Sequence, residues 1–258
     1  MFAAKAALMT RPGAAFTPIT IENTNVAAGT AIPAGASGVY VLIGGPGADG
    51  DKGSGAGGAS IPGGVGGGAG ARVYAYIPKA SWGAATTYEL TRGLAEGTNT
   101  VFKLGTVITL TAASGAGINA GVASQSGFPG ATLANGTAGR NGSNGNTGVA
   151  AVAATNGAGT GGPSGGGARD SGGSTSYNGG NGAPSTGGTG DPALPESQSP
   201  FPGQPGNGGT GRRGSSASAG GAGSGYCHGG AGGGANSGSG SPGGGAVGMP
   251  GYSKLIWV

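Results

Sequence analysis

The chain has 258 residues, of which 69 are glycine and 16 proline, while aromatic residues make up 5% and charged residues 8%. That balance excludes a conventional apolar core along most of the length, and the scarcity of charge sets it apart from the usual soluble disordered chain. The net charge of +4 comes from scattered basic residues, which speaks against a nucleic-acid-binding patch, and one cysteine excludes an intrachain disulfide.

Residues 1–15 are alanine-rich and read as a short helix or an extended arm. Their apolar run is too short for a secretory signal, and no run approaches the 18 apolar residues of a membrane span. Phe16 to Ile21 and Val39 to Ile43 carry β-branched and aromatic residues and predict strands, with Ile32-Pro-Ala-Gly-Ala as a turn between them. Gly44 to Gly70 is a glycine-rich excursion. The chain returns in Ala71-Arg-Val-Tyr-Ala-Tyr-Ile77, which alternates as a half-buried strand does. Thr86 to Thr91, Thr100 to Leu104 and Thr106 to Ala112 predict three further strands, and Tyr252 to Val258 a closing one that pairs back with the N-terminal β part. Trp82 and Trp257 are expected in the core of that β part.

From Ala113 to Gly251 almost no apolar side chain occurs, and sheet and α-helix are expected to be absent. Glycine recurs at every third position through Gly136, Gly139, Gly142, Gly145 and Gly148. The same period appears at Gly44, Gly47, Gly50 and Gly53 and at Gly245, Gly248 and Gly251. A period of three fits neither α-helix nor strand; it fits polyproline II, a left-handed helix of three residues per turn. One bare stripe lets a neighbouring backbone approach. The runs end after three to five glycines, so the expected fold is one chain folding back on itself many times rather than collagen. It is mostly irregular by standard classes: a small β framework plus a bundle of glycine-rich polyproline II helices. Asp191 to Pro202 breaks the phase and reads as an exposed loop.

Signals for catalysis and metal binding are weak, and no enzyme activity, cofactor or metal is expected. His228 is the sole histidine, Cys227-His228 has no second pair to complete a metal site, and Gly162-Pro-Ser164-Gly-Gly166 matches a nucleophile elbow in letters only. Asp49 and Asp51 flank a glycine and read as a solvated turn rather than a cation site. Tyr177, Phe201, Tyr226 and Tyr252 are large side chains in a tract of small ones. They serve either as plugs and anchors of the bundle or, for Tyr177, Phe201 and Tyr226, as a receptor-contact surface.

The order of strand, glycine tract, strands, long glycine tract and closing strand resembles the glycine-rich minor tail proteins of actinobacteriophages. The residues that carry the resemblance are Ile32-Pro-Ala-Gly-Ala-Ser-Gly-Val-Tyr-Val-Leu-Ile-Gly-Gly45, the excursion to Gly70, Arg72 to Ile77 and the tract closed by Tyr252 to Val258. The architecture is also similar to tail-fibre adhesins in which polyglycine helices stack as a sandwich. The resemblance implies a virion structural protein at the tail tip with a role in host adsorption. Its partners would be other tail proteins and a host-envelope glycan or glycolipid, with a homotrimer among the assemblies open to it and no membrane insertion. Four regions follow: an arm and first strand attaching to the tail (1–30), a β framework with the 44–70 excursion (31–112), the glycine-rich bundle (113–251) and the closing strand (252–258). The glycine tract is expected to face the receptor and the β part to face the tail. A secreted cell-wall or ice-binding glycine-rich protein is the alternative.

Overall fold

The computed structural model describes residues 16–55, 60–61, 63–139, 169–170, 217–221, 225–235 and 241–258. Two five-stranded antiparallel sheets form its framework. The closing sheet has the order β1 (Ile19–Glu22), β12 (Tyr252–Trp257), β3 (Gly38–Gly44), β5 (Arg72–Pro78), β10 (Thr132–Ala134). The meander sheet runs β2 (Val26–Ala31), β6 (Thr87–Thr91), β7 (Thr100–Leu104), β8 (Ile108–Ala112), β9 (Ala123–Ser126). A two-stranded pair joins β4 (Ser60–Ile61) to β11 (Arg169–Asp170). Among the described residues there is no α-helix, only a single 3-10 turn at Lys79–Ser81.

Strand alternation explains the core. Val39, Val41 and Ile43 of β3, Val73 and Ile77 of β5 and Leu255 of β12 point inward and meet Leu90, Phe102, Leu104, Ile108 and Leu110 from the meander sheet. Trp257 is fully buried between the layers. Its ring lies 5.8 Å from Trp82 and 4.8 Å from Tyr88, both edge-on. The Tyr88 contact couples the last strand to the opposite sheet, and Trp82 adds the connection between β5 and β6, with the geometry aromatic pairs prefer.

The expected absence of sheet from 113–251 is corrected by β9, β10 and the short β11, which lie inside that range. Ala-Ser-Gln-Ser and Thr-Leu-Ala have little strand character of their own. β9 pairs with β8 and β10 with β5, so each satisfies the free backbone groups of an otherwise exposed edge. A strand at Val26–Ala31 was likewise not expected from Val-Ala-Ala-Gly-Thr-Ala. The first strand starts at Ile19 rather than Phe16.

Beyond the sheets, glycine-rich segments that are neither strand nor helix lie side by side. Their hydrogen bonds step by three. The amides of Gly47, Gly50 and Gly53 donate to the carbonyls of Met249, Ala246 and Gly243 at 2.8–2.9 Å. Ala48 and Asp51 donate on another side to Gly68 and Val65, and Gly64, Gly67 and Gly70 donate to Gly233, Gly230 and Cys227. Each segment thereby meets different neighbours on successive faces, and its buried amides are satisfied without a ladder.

The neighbours are inherited from the closing sheet. In that sheet β3 lies between β12 and β5. The segment leaving β3 lies between the segment entering β12 and the segment entering β5. Glycine is required where backbones touch: a Cβ at Gly47 would stand 2.0 Å from the His228 carbonyl oxygen, and one at Gly50 2.2 Å from that of Ala231. Methyl groups are admitted elsewhere, and Ala48, Ala69, Ala231 and Ala235 are fully buried. Glu96, from the loop between β6 and β7, clamps two segments by accepting from the amides of Asp49 (3.1 Å) and Gly117 (2.7 Å).

Candidate functional site

A polar and aromatic cluster forms where the glycine tract returns to the closing sheet. Gly225 (φ +79°) and Cys227 (φ +64°) turn the backbone tightly on either side of Tyr226. That turn sets the Tyr226 ring 5.1 Å from the ring of Tyr252 at 53°. Asn23, itself left-handed at φ +50°, donates from Nδ2 to the Tyr226 hydroxyl at 3.2 Å. The guanidinium of Arg92 lies 5.5 Å from the Tyr226 ring centroid, a cation–π distance, while its Nε donates to the Gly251 carbonyl at 2.7 Å. The Tyr252 hydroxyl donates to Glu22 Oε1 at 2.7 Å, and the other oxygen of Glu22 lies 3.6 Å from Lys254 Nζ. Leu42 and Cys227 complete the buried floor under Tyr252.

Tyr226 therefore sits on the β framework, bonded to residue 23 and stacked on the closing strand. Sequence reasoning set Tyr226 among the receptor-contact residues of the glycine tract; in the fold it packs on the part expected to face the tail. The reason is local: the turn at Gly225 and Cys227 docks on an aromatic strand residue that can bury the ring. Tyr177 and Phe201 lie outside the described residues, as do Gly142, Gly145, Gly148 and Ser164. Gly136 and Gly139 are described; a Cβ there would stand 2.0 Å from the Ala69 carbonyl oxygen and 1.8 Å from that of Gly66. Their amides donate to the carbonyls of Gly121 and Ile118.

Cys227 and His228 are both fully buried. Among the described residues no group of three His, Cys, Asp or Glu side chains could hold a metal ion. Asp49 is more than a solvated turn residue, because its Oδ1 accepts from the Gly248 amide at 2.8 Å. Asn23, Arg92, Glu22 and Glu96 were missed by sequence reasoning. Each is an isolated polar residue in a loop or at a strand end, and no spacing marks it.

Burial pushes the Cys227 thiol up to about 12, against an opposing pull from the charges of Arg72 and Arg92. Tyr252 is raised by burial first and then by its bond to Glu22. Both groups keep their protons in the folded chain at pH values where the unfolded chain would release them. The unfolded state then binds fewer protons, so stability falls as pH rises, from about 9 toward 12 for the thiol. Urea midpoints are expected to drop across pH 9–11, and to drop less steeply in Cys227→Ser. Identical slopes for the two proteins would show that the thiol does not carry the effect.

No protein-family model and no curated protein matches the chain.

Proposed function

We propose that the chain is a phage virion protein of the tail tip, a structural element without chemistry of its own. In this reading the β sandwich carries a bundle of glycine-rich polyproline II helices, a polyglycine sandwich. The observation that carries it is the three-residue step of the hydrogen bonds, Gly47, Gly50 and Gly53 against Met249, Ala246 and Gly243. A helix of three residues per turn returns the same face to a neighbour at that step. A bundle held by backbone contacts spans distance without a large apolar core, as a spacer at a tail tip must. Other tail proteins would be its structural neighbours, and a host-envelope glycan or glycolipid its external contact.

Mass spectrometry of purified virions from the genome that encodes the chain should return its peptides at minor-protein abundance. Recovery only from host envelope or culture fluid would overturn the reading in favour of a secreted structural protein. For adsorption, Tyr226→Ala belongs in one virion and Tyr177→Ala with Phe201→Ala in another. Poor adsorption of the second with normal assembly would place recognition in the tract.

A further inference from the structure

We propose that the outer face of the closing sheet, centred on Tyr40 and Tyr76, binds a neutral oligosaccharide. Alternation in β3 and β5 sends Val39, Val41, Val73 and Ile77 to the core and turns Tyr40 and Tyr76 outward. Register then aligns Ile256, Tyr40 and Tyr76 abreast across β12, β3 and β5. The two tyrosine rings lie 4.6 Å apart at 36°.

Gly38 explains how Tyr76 is presented. A Cβ on Gly38 would meet the Tyr76 hydroxyl at 2.6 Å and two of its ring carbons at 2.7 and 2.8 Å. The phenol thus rests on bare backbone, supported from beneath, while the residue remains 39% exposed. Among the described residues, Tyr76 is the one aromatic in the set of exposed large apolar side chains. A supported aromatic surface open to water marks a recognition site, because it binds without first losing side-chain freedom.

Charge on this face selects the occupant. Lys254 and Glu22 pair with each other, and Glu22 also accepts from Tyr252. Arg72, on the same face, has its Nε and Nη2 buried. Beside that ion pair the face offers the aromatic surface of Tyr40 and Tyr76 with their hydroxyls. A sugar ring matches it, with C–H groups on its flat side for the rings and hydroxyls at its edge for the phenols. With centroids 4.6 Å apart the Tyr40 and Tyr76 rings lean on each other and form one platform rather than two successive ones. The tail-tip reading supplies only the source of such a glycan; binding itself stands on the geometry of the face.

The test titrates the full chain with cellohexaose, xylohexaose and a neutral galactan hexasaccharide by calorimetry. At least one should bind, and Tyr76→Ala should weaken it on the order of tenfold, the loss typical of a central aromatic contact. Tyr76→Phe should lose clearly less than Tyr76→Ala, since the ring face is kept and only the hydroxyl contact goes. Gly38→Ala should weaken binding with Tyr76 still present, because the new methyl lifts the ring from its seat. Far-UV circular dichroism checks that each variant folds. Absence of binding to all three sugars, or wild-type affinity in Tyr76→Ala, would overturn the proposal. So would a dimer that Tyr76→Ala converts to monomer, which would make the face an interface between copies. Sugar binding by a protein absent from virions would sink the tail reading alone; virion incorporation without sugar binding would sink this proposal alone.

Discussion

Gly67→Ala is expected to destabilise the protein by at least about 3 kcal/mol, the sum of overpacking and lost backbone hydrogen bonding. A methyl at that position would stand 2.1 Å from the Ala48 carbonyl oxygen and 2.5 Å from that of Asp49. Neither segment can retreat freely. Ala48 donates to Gly68 and accepts from Gly230, and Gly67 itself donates to Gly230. Moving one backbone to admit the methyl strains or breaks bonds to two others. Such a loss is large beside a total stability of roughly 5–15 kcal/mol. Gly244→Ala is the counterpart, with nothing within 4 Å of its Cβ position. By reducing the freedom of the unfolded chain, it should be neutral or stabilising by up to about 1 kcal/mol. Thermal unfolding followed by circular dichroism separates the two. Equal midpoints would mean that the glycine segments are not in close contact. The corresponding pair Gly142→Val and Asn141→Val, which the sequence period singles out, lies outside the described residues.

Trp257→Ala should cost about 3–5 kcal/mol, the range for removing a large aromatic side chain from a core. Trp257 is fully buried against Trp82 and Tyr88, so its removal empties the contact between the two sheets. The damage should extend beyond the core. β12 pairs with β1 on one side and β3 on the other, and residues 243–249 leading into it accept the bonds from Gly47, Gly50 and Gly53. Loosening β12 therefore loosens a glycine segment at the same time. Trp257→Phe keeps the ring contact with less volume and should lose clearly less. Urea midpoints for the two variants check this. A drop for Trp257→Ala no greater than that for Ile256→Ala, on the outward face, would show that the sheets are not joined through this residue.

Much of the framework was legible because strand signals are local. Arg72-Val-Tyr-Ala-Tyr-Ile77 carries its own alternation, which separates core residues from outward tyrosines before any partner is known, and Val39 to Ile43 is marked by its β-branched and aromatic residues. The closing strand was legible for the same reason, and so was the burial of both tryptophans. Strands β9 and β10 were not. Their residues have little propensity, and they are strands because an edge beside them needed a partner. Tyr226 was legible as an unusual side chain but not in its place, since its neighbours Asn23, Arg92 and Tyr252 come from three distant parts of the chain.

By itself the sequence determined the period of three, and with it positions that admit no Cβ at Gly47, Gly50, Gly53, Gly136, Gly139, Gly245 and Gly248. It could not determine which segment meets which. Runs of glycine at the same spacing are interchangeable, and a bare stripe accepts any other backbone. The tertiary structure removes that degeneracy through the sheets. Because β3 pairs with β12 and β5, the segments that continue from those strands emerge as neighbours and bond to one another. Specific apolar burial in the framework thus decides the pairing of these three segments, which have almost no side chains with which to decide it.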